Sequence, residues 1–196
     1  MKHHSIATLR TSPASALFLD RDGTLNVRLI DDYVKRPDQF ELIPGTLEAL
    51  AMLQPFFCRI FIVTNQQGIG KGLMTENDLN AIHTPFLEQA QAAGVNIDKI
   101  YFCPNLKSDH SFYRKPSIGM ALQARREYPE VSLKDSIMIG DSRSDMLFGR
   151  RAQMATILVG DETQIAHGDA HLVDRYYPTL LQFAQSFVQE NNTARL

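Results

Sequence analysis

Asp20 and Asp22 stand two positions apart at the end of the apolar run ALFLD, residues 16–20. Two carboxylates this close repel each other, and folding alone gives no reason to place them at the end of a buried strand. A hard cation such as Mg²⁺ would remove that cost, because it binds carboxylate oxygens, waters and usually a substrate phosphate. Asp141 follows another apolar run and Asp145 comes one helical turn later, so both are further candidate ligands. A single strand-end aspartate is more often a turn or cap residue, but DxD combined with GDxxxD favours a metal site.

Two other turns carry side chains that could bind phosphate. Thr64 follows the run FIV, and its hydroxyl could donate to a phosphate oxygen, or it could simply be the last β-branched residue of a strand. We count Asn65, at the same turn, with Thr64 as a candidate phosphate ligand. Lys115 precedes Pro116, which suits the first turn of a helix. From there its ammonium group could offset the charge of a bound anion, or it could be a solvated surface lysine.

The glycine-rich segment NQQGIGKGL, residues 65–73, does not fit a phosphate-binding loop. A P-loop needs GxxxxGK followed by Ser or Thr, whereas Lys71 is followed by Gly72 and no glycine stands at position 65. The spacing of the glycines also fails the GxGxxG pattern. We therefore predict a substrate-facing loop here, with Gln66 and Lys71 as its candidate contacts.

The chain alternates strand-like and helix-like segments, which predicts an α/β fold: a doubly wound, mainly parallel sheet with helices on both faces. The predicted strands are residues 16–20, 58–65, 97–103, 135–141 and 155–160, with a possible sixth at 171–174. The predicted helices are residues 44–54, 75–94, 117–129, about 144–153 and 179–191. Pro85 should kink or split the second helix. Ligands of such sheets bind beyond the carboxyl ends of the strands, where the polar turns above are found.

Length and composition point to one globular domain over residues 1–196, with residues 1–14 as a flexible tail. The sequence is 44% hydrophobic and 21% charged, and its net charge of −2 argues against a broad nucleic-acid-binding face. No apolar run approaches the roughly 18 residues of a membrane span, and no signal peptide is visible. Cys58 and Cys103 are the two cysteines and form no CxxC pair, so we expect a cytoplasmic protein. We expect a monomer or a small homo-oligomer.

Four segments, LFLDRDGTLN, IVTNQQGIG, YRKP and IMIGDSRSDM, resemble in order the four motifs of the haloacid-dehalogenase-like (HAD) phosphohydrolase superfamily. The resemblance covers residues 16 to about 160. Within the superfamily, DRDGTLN, YVKRPDQFELIPG and TNQQGIGKG are most similar to the group of histidinol-phosphate phosphatases and D-glycero-D-manno-heptose 1,7-bisphosphate phosphatases. The resemblance implies a Rossmann-like core and an enzyme that hydrolyses phosphoric monoesters.

The resemblance also implies a mechanism and a role for each motif. Asp20 would be the nucleophile that forms an aspartyl-phosphate, and Asp22 the general acid and then the general base. Thr64 and Lys115 would bind the phosphoryl oxygens. Mg²⁺ would be held by Asp20, the backbone carbonyl of Asp22, and Asp141, and Asp145 would hold a metal-bound water or lie just outside the ligands.

Predicted elements fill the intervals between the motifs, so no cap domain is expected in them. An open site of this kind must obtain its specificity from short loops. Arg114 could contact a substrate anion or hydroxyl, or it could form an exposed ion pair. The candidate specificity loops are residues 26–33, 66–73 and 105–114.

Phosphatases of this group usually bind a structural zinc ion before the Lys-Pro motif. The matching positions here are Cys103, Asn105, Ser111 and Tyr113. Even with His110 the chain offers two zinc ligands, and a structural site needs four. We therefore predict no zinc, and a loop held by packing, with Phe112 and Tyr113 turned inward.

The substrate predicted from the resemblance is a small phosphorylated metabolite, with a sugar bisphosphate such as heptose 1,7-bisphosphate favoured. Histidinol phosphate is an alternative, and Ser142, where heptose-bisphosphate enzymes commonly have lysine, leaves the choice open. SFYRKPSIGM and NQQGIGKG also resemble polynucleotide 3′-phosphatases, although the acidic composition argues against nucleic acid. A non-catalytic HAD-fold binding module is a further alternative. Such a protein should lack a key carboxylate, and this chain retains them.

Overall fold

The computed structural model describes residue 9 and residues 11–193, and its centre is one six-stranded parallel sheet. The strands are β1 (Ala16–Leu19), β2 (Arg59–Asn65), β3 (Lys99–Cys103), β4 (Ile137–Gly140), β5 (Ala155–Val159) and β6 (Arg175–Tyr177). The helices are α1 (Thr46–Leu53), α2 (Gln67–Gly70), α3 (Glu76–Ala92), α4 (Gly119–Glu127), α5 (Arg143–Arg151) and α6 (Leu180–Thr193). Short 3-10 segments are Pro37–Gln39, Gln54–Phe56, Lys107–Asp109, Leu133–Asp135, Glu162–Gln164 and His167–Leu172.

The strand order is β3-β2-β1-β4-β5-β6, and every pair is parallel. This order confirms the predicted doubly wound sheet. The chain first places β2 and β3 on one side of β1, and then places β4, β5 and β6 on the other side. A crevice therefore opens beyond the carboxyl ends of β1 and β4, which is where sheets of this type bind their ligands.

The sheet is covered on both faces, which explains why its central strands are continuous apolar runs. All four residues of β1 and all four of β4 are buried. Alternate side chains of β1 enter different cores, because successive side chains of a strand point to opposite faces. Leu17 and Leu19 pack with residues of α1 and α6, whereas Phe18 packs with residues of α4 and α5.

The sixth strand lies later in the chain than predicted. Residues 171–174 do not form it, and β6 runs beside β5 at Arg175–Tyr177. Leu172 ends a 3-10 segment and is buried in a satellite cluster with Met146 and Leu158. The apolar pattern at 171–174 therefore reflects the packing of Leu172 against α5 and β5. Asp174 hydrogen-bonds to the backbone of Thr156 just before β6 begins.

Pro85 does not split α3, so that part of the prediction that it would kink or split the helix is wrong. The helix runs without a break from Glu76 to Ala92 with Pro85 inside it. A proline removes one backbone hydrogen bond from a helix, but the buried stripe of this helix continues on both sides of it through Ile82 and Phe86. Packing of that stripe outweighs the lost bond.

Lys115 does not lie in the first turn of a helix, as its Lys-Pro pair suggested. Helix α4 begins only at Gly119, and the backbone N–H of that glycine donates to the carbonyl oxygen of Phe112. Ser117 N–H donates to the carbonyl oxygen of Arg114, so the chain makes a turn at Lys115 before the helix starts. The lysine is therefore carried by a loop.

The intervals in which a cap could be inserted are fully described and hold only small elements. Between β1 and β2 lie a 3-10 segment and α1, with a second 3-10 segment after it, and between β2 and β3 lie α2 and α3. Of the predicted tail, residues 1–8 and 10 lie outside the described residues. The described end is attached: Ala14 accepts a hydrogen bond from Ser132 N–H, and Leu9 packs against the core. No helix in the described part of the chain is long and apolar enough to cross a membrane.

Candidate active site

All ten candidate site residues line one cavity of about 480 Å³ beyond the carboxyl ends of β1, β2 and β4. Asp20, Thr64 and Asp141 lie at the carboxyl ends of β1, β2 and β4, whereas Lys115 comes from the loop that follows β3. Asp20 continues from β1, and its backbone N–H donates to the carbonyl oxygen of Ile139 in β4. The structure thus brings together residues from motifs that lie far apart in the chain, and their roles stay predictions.

Three buried carboxylates converge at the centre of the cavity. One oxygen from each of Asp20, Asp141 and Asp145 lies within 4.8 Å of the others. Burial, followed by the charge of Asp145, raises the pKa of Asp20 to about 8, although Lys115 opposes the shift. The same two causes raise the pKa of Asp141 to about 6. The cluster is therefore short of positive charge.

Two glycines allow the carboxylates to approach the backbone this closely. Gly23 has a φ of 91°, and a Cβ atom there would lie 2.1 Å from Oδ2 of Asp141. A Cβ atom at Gly140 would lie 2.4 Å from the Cβ of Asp145. Any larger residue at either position would push an aspartate out of the cluster.

Lys115 bridges two of the three carboxylates. Its Nζ atom lies 2.6 Å from Oδ1 of Asp20 and 2.6 Å from Oδ1 of Asp145. Burial alone would lower the pKa of Lys115, but the two carboxylates outweigh burial and raise it. The lysine is therefore a fixed, buried cation facing the cavity, which agrees with the predicted anion-binding role and not with a solvated surface lysine.

Asp145 has both carboxylate oxygens engaged by this chain. Its Oδ1 faces Lys115, and its Oδ2 accepts from the backbone N–H of Ser142 at 3.1 Å and from the Ser142 hydroxyl. Ser142 is the N-cap of α5, and Asp145 is the third residue of that helix, so the pair forms a capping box. The serine thus orients a carboxylate of the three-carboxylate cluster.

Asp22 occupies a different environment from Asp20. Its Oδ1 accepts from Arg21 at 2.8 Å and from Asn26 at 3.0 Å, and its Oδ2 accepts from Gln66 at 2.9 Å. Burial alone would raise the pKa of Asp22, but the charge of Arg21 and these three hydrogen bonds lower it. Adjacent carboxylates are thus driven in opposite directions, a pattern typical of sites that separate two roles.

Gln66, a predicted substrate-loop contact, lines the cavity and also hydrogen-bonds to two other residues of the site. It is 1% exposed, and its Nε2 donates to Asp22 and, at 2.8 Å, to Oγ1 of Thr64. Because Thr64 Oγ1 accepts this bond, its own hydroxyl proton is available to a group in the cavity.

Asn65, a predicted phosphate ligand, lines the cavity, and its side-chain amide is bonded to the loop that carries Lys115. Its side-chain Oδ1 accepts from the backbone N–H of Lys115 at 3.0 Å, and its Nδ2 donates to the Lys115 carbonyl oxygen at 3.1 Å. Both ends of the amide are therefore used to hold the lysine loop against the end of β2.

Three cationic side chains that line the cavity are exposed or half-buried and form its cationic rim: Arg28, Lys71 and Arg114. Lys71 and Arg114 lie in the predicted specificity loops. Lys71 Nζ lies 5.1 Å from the centre of the Tyr33 ring, and Arg114 donates to the carbonyl oxygen of Asn105 at 3.2 Å. Arg28 was not singled out from the sequence, although it lies in the loop 26–33. It pairs with Oδ2 of Asp141 at 3.2 Å.

The loop before Lys115 is not held by inward aromatic rings. Phe112 and Tyr113 are 55% and 44% exposed, and their rings contact each other edge to face. The inner side is polar instead: Cys103 Sγ lies 3.6 Å from Oδ1 of Asn105 and 3.7 Å from the Ser111 hydroxyl. Three of the four positions compared with zinc ligands therefore do meet, but only one of them is a thiolate donor. The absence of zinc stays a prediction.

Comparison with known proteins places the chain in a family. The HAD-hydrolase-like family model matches residues 112–181. A D-glycero-alpha-D-manno-heptose-1,7-bisphosphate 7-phosphatase of Mycobacterium bovis is 42% identical over 130 residues, which are 66% of this chain and 68% of the relative. The chain belongs to the HAD-like phosphatases. The predicted family and enzyme class, a phosphoric monoester hydrolase, are thereby confirmed.

Other HAD-like phosphatases extend the likeness over more of the chain. A D-glycero-beta-D-manno-heptose-1,7-bisphosphate 7-phosphatase of Pasteurella multocida is 40% identical over 152 residues, covering 74% of this chain and 80% of the relative. The crystal structure of D,D-heptose 1,7-bisphosphate phosphatase from B. bronchiseptica, complexed with magnesium and phosphate, has a TM-score of 0.79 and 32% identity. It covers 90% of this chain and 99% of that one. These relatives support the HAD-like core over almost its whole length.

Proposed function

We propose that this protein is a Mg²⁺-dependent phosphatase that removes the 7-phosphate from D-glycero-D-manno-heptose 1,7-bisphosphate. The observation that carries the proposal is the contact of buried Asp20 with Lys115 inside a group of three carboxylates. The relatives named above act, by their names, on the alpha or the beta form of this sugar bisphosphate. They favour it over histidinol phosphate and polynucleotide 3′-phosphates, and the retained carboxylates argue against a non-catalytic module.

The donor set fits a magnesium ion. Asp20 and Asp141 offer buried carboxylate oxygens, the backbone carbonyl of Asp22 is the third protein ligand in the proposal, and Asp145 lies just outside the ligands. Among the residues that the structure describes, only Lys115 and Arg28 pair with the three carboxylates, so a divalent cation would bring the site closer to neutrality. When bound, Mg²⁺ would neutralise charge on the phosphoryl oxygens and polarise the phosphorus for attack.

In the first step, a carboxylate oxygen of Asp20 attacks phosphorus and forms an aspartyl-phosphate. The bond between phosphorus and the sugar oxygen breaks, and Asp22 gives its proton to that oxygen. Lys115 and the Thr64 hydroxyl hold the phosphoryl oxygens over which negative charge spreads.

In the second step, Asp22 takes a proton from a water molecule as the water oxygen attacks phosphorus. The bond between phosphorus and Asp20 then breaks and inorganic phosphate leaves. The low pKa of Asp22 in the substrate-free site suits this base role directly. For the acid role Asp22 must gain a proton, and the negative charge of an incoming phosphate would raise its pKa in that direction.

The cationic rim of Arg28, Lys71 and Arg114 suits a second, non-reacting phosphate. Guanidinium groups bind phosphate through paired hydrogen bonds, so the two arginines are the stronger candidates. A sugar that carries phosphates at both ends could place one beside Asp20 and the other at this rim. The product would be heptose 1-phosphate.

We also propose that the enzyme acts in the cytoplasm and needs no structural zinc. Both cysteines are free thiols, as expected in a reducing compartment. Elemental analysis of protein grown with added zinc would test the second part. Stoichiometric zinc that resists chelation would contradict it.

The function is tested by phosphate release from a panel of substrates with Mg²⁺. The panel holds both anomers of heptose 1,7-bisphosphate, heptose 7-phosphate, histidinol phosphate and a 3′-phosphorylated oligonucleotide. We expect a heptose bisphosphate to have the highest kcat/KM, and Asp20→Asn to abolish turnover. Asp38→Asn, which changes an exposed aspartate outside the cavity, should remain active. Equal inactivity of wild type and Asp20→Asn on all substrates would refute the proposal, and preference for another substrate would redirect it.

A further inference from the structure

Arg21, between the two catalytic aspartates, is almost completely buried, and its guanidinium group joins two distant parts of the fold. Its Nη2 donates to Oδ1 of Asp22 at 2.8 Å, and its Nη1 lies 3.1 Å from Nε2 of His83. The Phe40 ring covers the guanidinium carbon at 5.7 Å. A buried arginine with one terminal nitrogen on a carboxylate and the other on a histidine has little freedom to turn.

His83 comes from the buried stripe of α3, where its neighbours are the apolar residues Leu79, Ile82 and Phe86. The imidazole is 5% exposed. Burial, and then the charge of Arg21, lower the pKa of His83 to about 4, while Asp22 opposes the shift. The ring is therefore neutral near pH 7, and its Nε2 lone pair can accept the proton of the Arg21 Nη1 group.

We propose that His83 is a positioning residue for general acid catalysis: it fixes the Arg21 guanidinium so that Arg21 holds the Asp22 carboxylate toward the leaving group. This proposal rests on the function proposed above, in which Asp22 protonates the sugar oxygen. Without His83, the buried Nη1 group of Arg21 would have no hydrogen-bond acceptor among the described residues in its present orientation, and the guanidinium would turn to find one. Asp22 would then lose a fixed charged partner and keep only Asn26 and Gln66.

The chemistry of the leaving group separates this role from a general packing role. When the P–O bond of a sugar phosphate breaks, the oxygen leaves as a poorly stable alkoxide unless Asp22 transfers its proton to it. 4-Nitrophenolate is stable as an anion and leaves without a proton. Both substrates need the same nucleophile, the same metal and the same contacts to the transferred phosphate. They differ in their need for a proton and in the second phosphate of the sugar, which we place at the rim of Arg28, Lys71 and Arg114 and not at His83. The parameter kcat/KM reports steps up to cleavage of this bond, before the common aspartyl-phosphate is hydrolysed.

The test compares His83→Leu with wild type on heptose 1,7-bisphosphate and on 4-nitrophenyl phosphate. We expect kcat/KM to fall about tenfold or more on the sugar phosphate, within the roughly 10²–10⁴-fold contribution of general acid–base catalysis. On the aryl phosphate it should fall less than about twofold. His83→Gln should restore most of the lost activity, because its side-chain oxygen can accept from Arg21. Ile82→Val, a packing change in the same stripe, should lower both activities equally or not at all.

Equal losses on both substrates in His83→Leu would overturn the proposal, and so would full activity on the sugar phosphate. A crystal structure of His83→Leu adds a measurement that does not depend on turnover. We expect the Arg21 guanidinium to have moved away from Asp22, and an unchanged pair would also overturn the proposal. If wild type hydrolyses the aryl phosphate but no sugar phosphate, the proposed substrate is wrong, and this structure then decides the role of His83 separately.

Discussion

The carboxyl group of Asp20 is buried beside Asp141 and Asp145, and this environment raises its pKa to about 8. The same group must be ionised to attack phosphorus. Without a metal ion, the site therefore lacks part of the positive charge that would stabilise an ionised Asp20. Lys115 compensates for part of the repulsion, and the proposed Mg²⁺ would compensate for the rest. Sites prepared in this way cost stability when empty, because burying like charges together is unfavourable.

We therefore expect Asp20→Asn to stabilise the protein in the presence of a chelator while it abolishes turnover. At pH 8 the unfolded wild-type chain releases the Asp20 proton easily, whereas the folded chain holds it or carries a disfavoured charge. The gain should be on the order of 1–2 kcal/mol at pH 8 and should shrink toward pH 4, near the pKa of an unfolded aspartate. Urea unfolding of both proteins at several pH values measures it. A variant less stable than wild type at pH 8 would contradict this account.

His83 should make the protein sensitive to acid in a defined window. Its pKa is about 4 in the folded protein and about 6.5 in an unfolded chain. As the pH falls from 6.5 to 4, the unfolded chain binds a proton that the folded chain does not, so wild type loses stability. His83→Gln has no such group. The stability of wild type relative to this variant should therefore fall by up to roughly 1.4 kcal/mol per pH unit, about 3 kcal/mol in all.

Urea unfolding of wild type and His83→Gln across this window provides the check. The comparison must be made as a difference, because Asp20 and Asp141 also titrate differently in the folded protein and are common to both chains. Parallel stability curves would show that the His83 imidazole is not held neutral by its surroundings.

At the scale of elements, the fold uses the same device at two helices with different consequences. Thr75 and Asp78 form a capping box at α3, and Ser142 and Asp145 form one at α5. The first is exposed. In the second, the capping carboxylate also belongs to the cluster with Asp20 and pairs with Lys115. The capping residue Asp145 therefore links the start of α5 directly to Lys115 and the carboxylate cluster.

Ser142→Ala and Thr75→Ala should each cost about 1 kcal/mol of unfolding free energy, because each removes an N-cap hydroxyl. Only Ser142→Ala should also weaken Mg²⁺ binding, since Asp145 would lose the hydroxyl that orients it. Urea unfolding gives the first quantity, and titration of the Mg²⁺ dependence of activity and thermal stability gives the second. Equal Mg²⁺ affinity in both variants would contradict this prediction, because it would show that the Ser142 hydroxyl does not contribute to metal binding.

At the scale of the whole molecule, the proposed metal site lies where two halves of the sheet meet. Asp20 follows β1, which adjoins the half of the sheet that contains β2 and β3. Asp141 follows β4, which begins the half that also contains β5 and β6. A bound cation would link these halves to each other and to α5. Metal binding should therefore stabilise the whole fold and not only a loop.

We expect saturating Mg²⁺ to raise the melting temperature relative to chelated protein. A concentration 100 times the Kd corresponds to about 2.7 kcal/mol, which for a chain of this size is a shift of roughly 5–10 °C. Differential scanning calorimetry with and without chelator measures the shift. Asp141→Asn should remove most of it, whereas Asp161→Asn, at an exposed turn, should leave it intact. An identical shift in both variants would place the cation elsewhere.

Local sequence patterns are enough to predict the sheet, the motifs and the family of this protein. Apolar runs followed by polar turns are local patterns, and in a parallel sheet they bring Asp20, Thr64 and Asp141 to one edge without knowledge of distant contacts. The ends of strands and helices do not follow from such patterns alone, because one apolar pattern can belong to a strand or to another buried segment. Leu172 fills a cluster under α5 instead of a strand, and Pro85 is tolerated inside α3 because the buried stripe continues past it.

The side chains that support the reacting groups follow from contacts between distant parts of the fold and not from local sequence. His83 meets Arg21 across 62 positions, and Arg28 meets Asp141 across 113. Gln66 is used to hold Asp22, and Phe112 lies outside because small polar groups occupy the inner side of its loop. No periodicity encodes such pairs, because each depends on how complete elements pack and on which buried polar atoms need a partner. The reacting groups follow from the ends of strands, and their supports follow from packing.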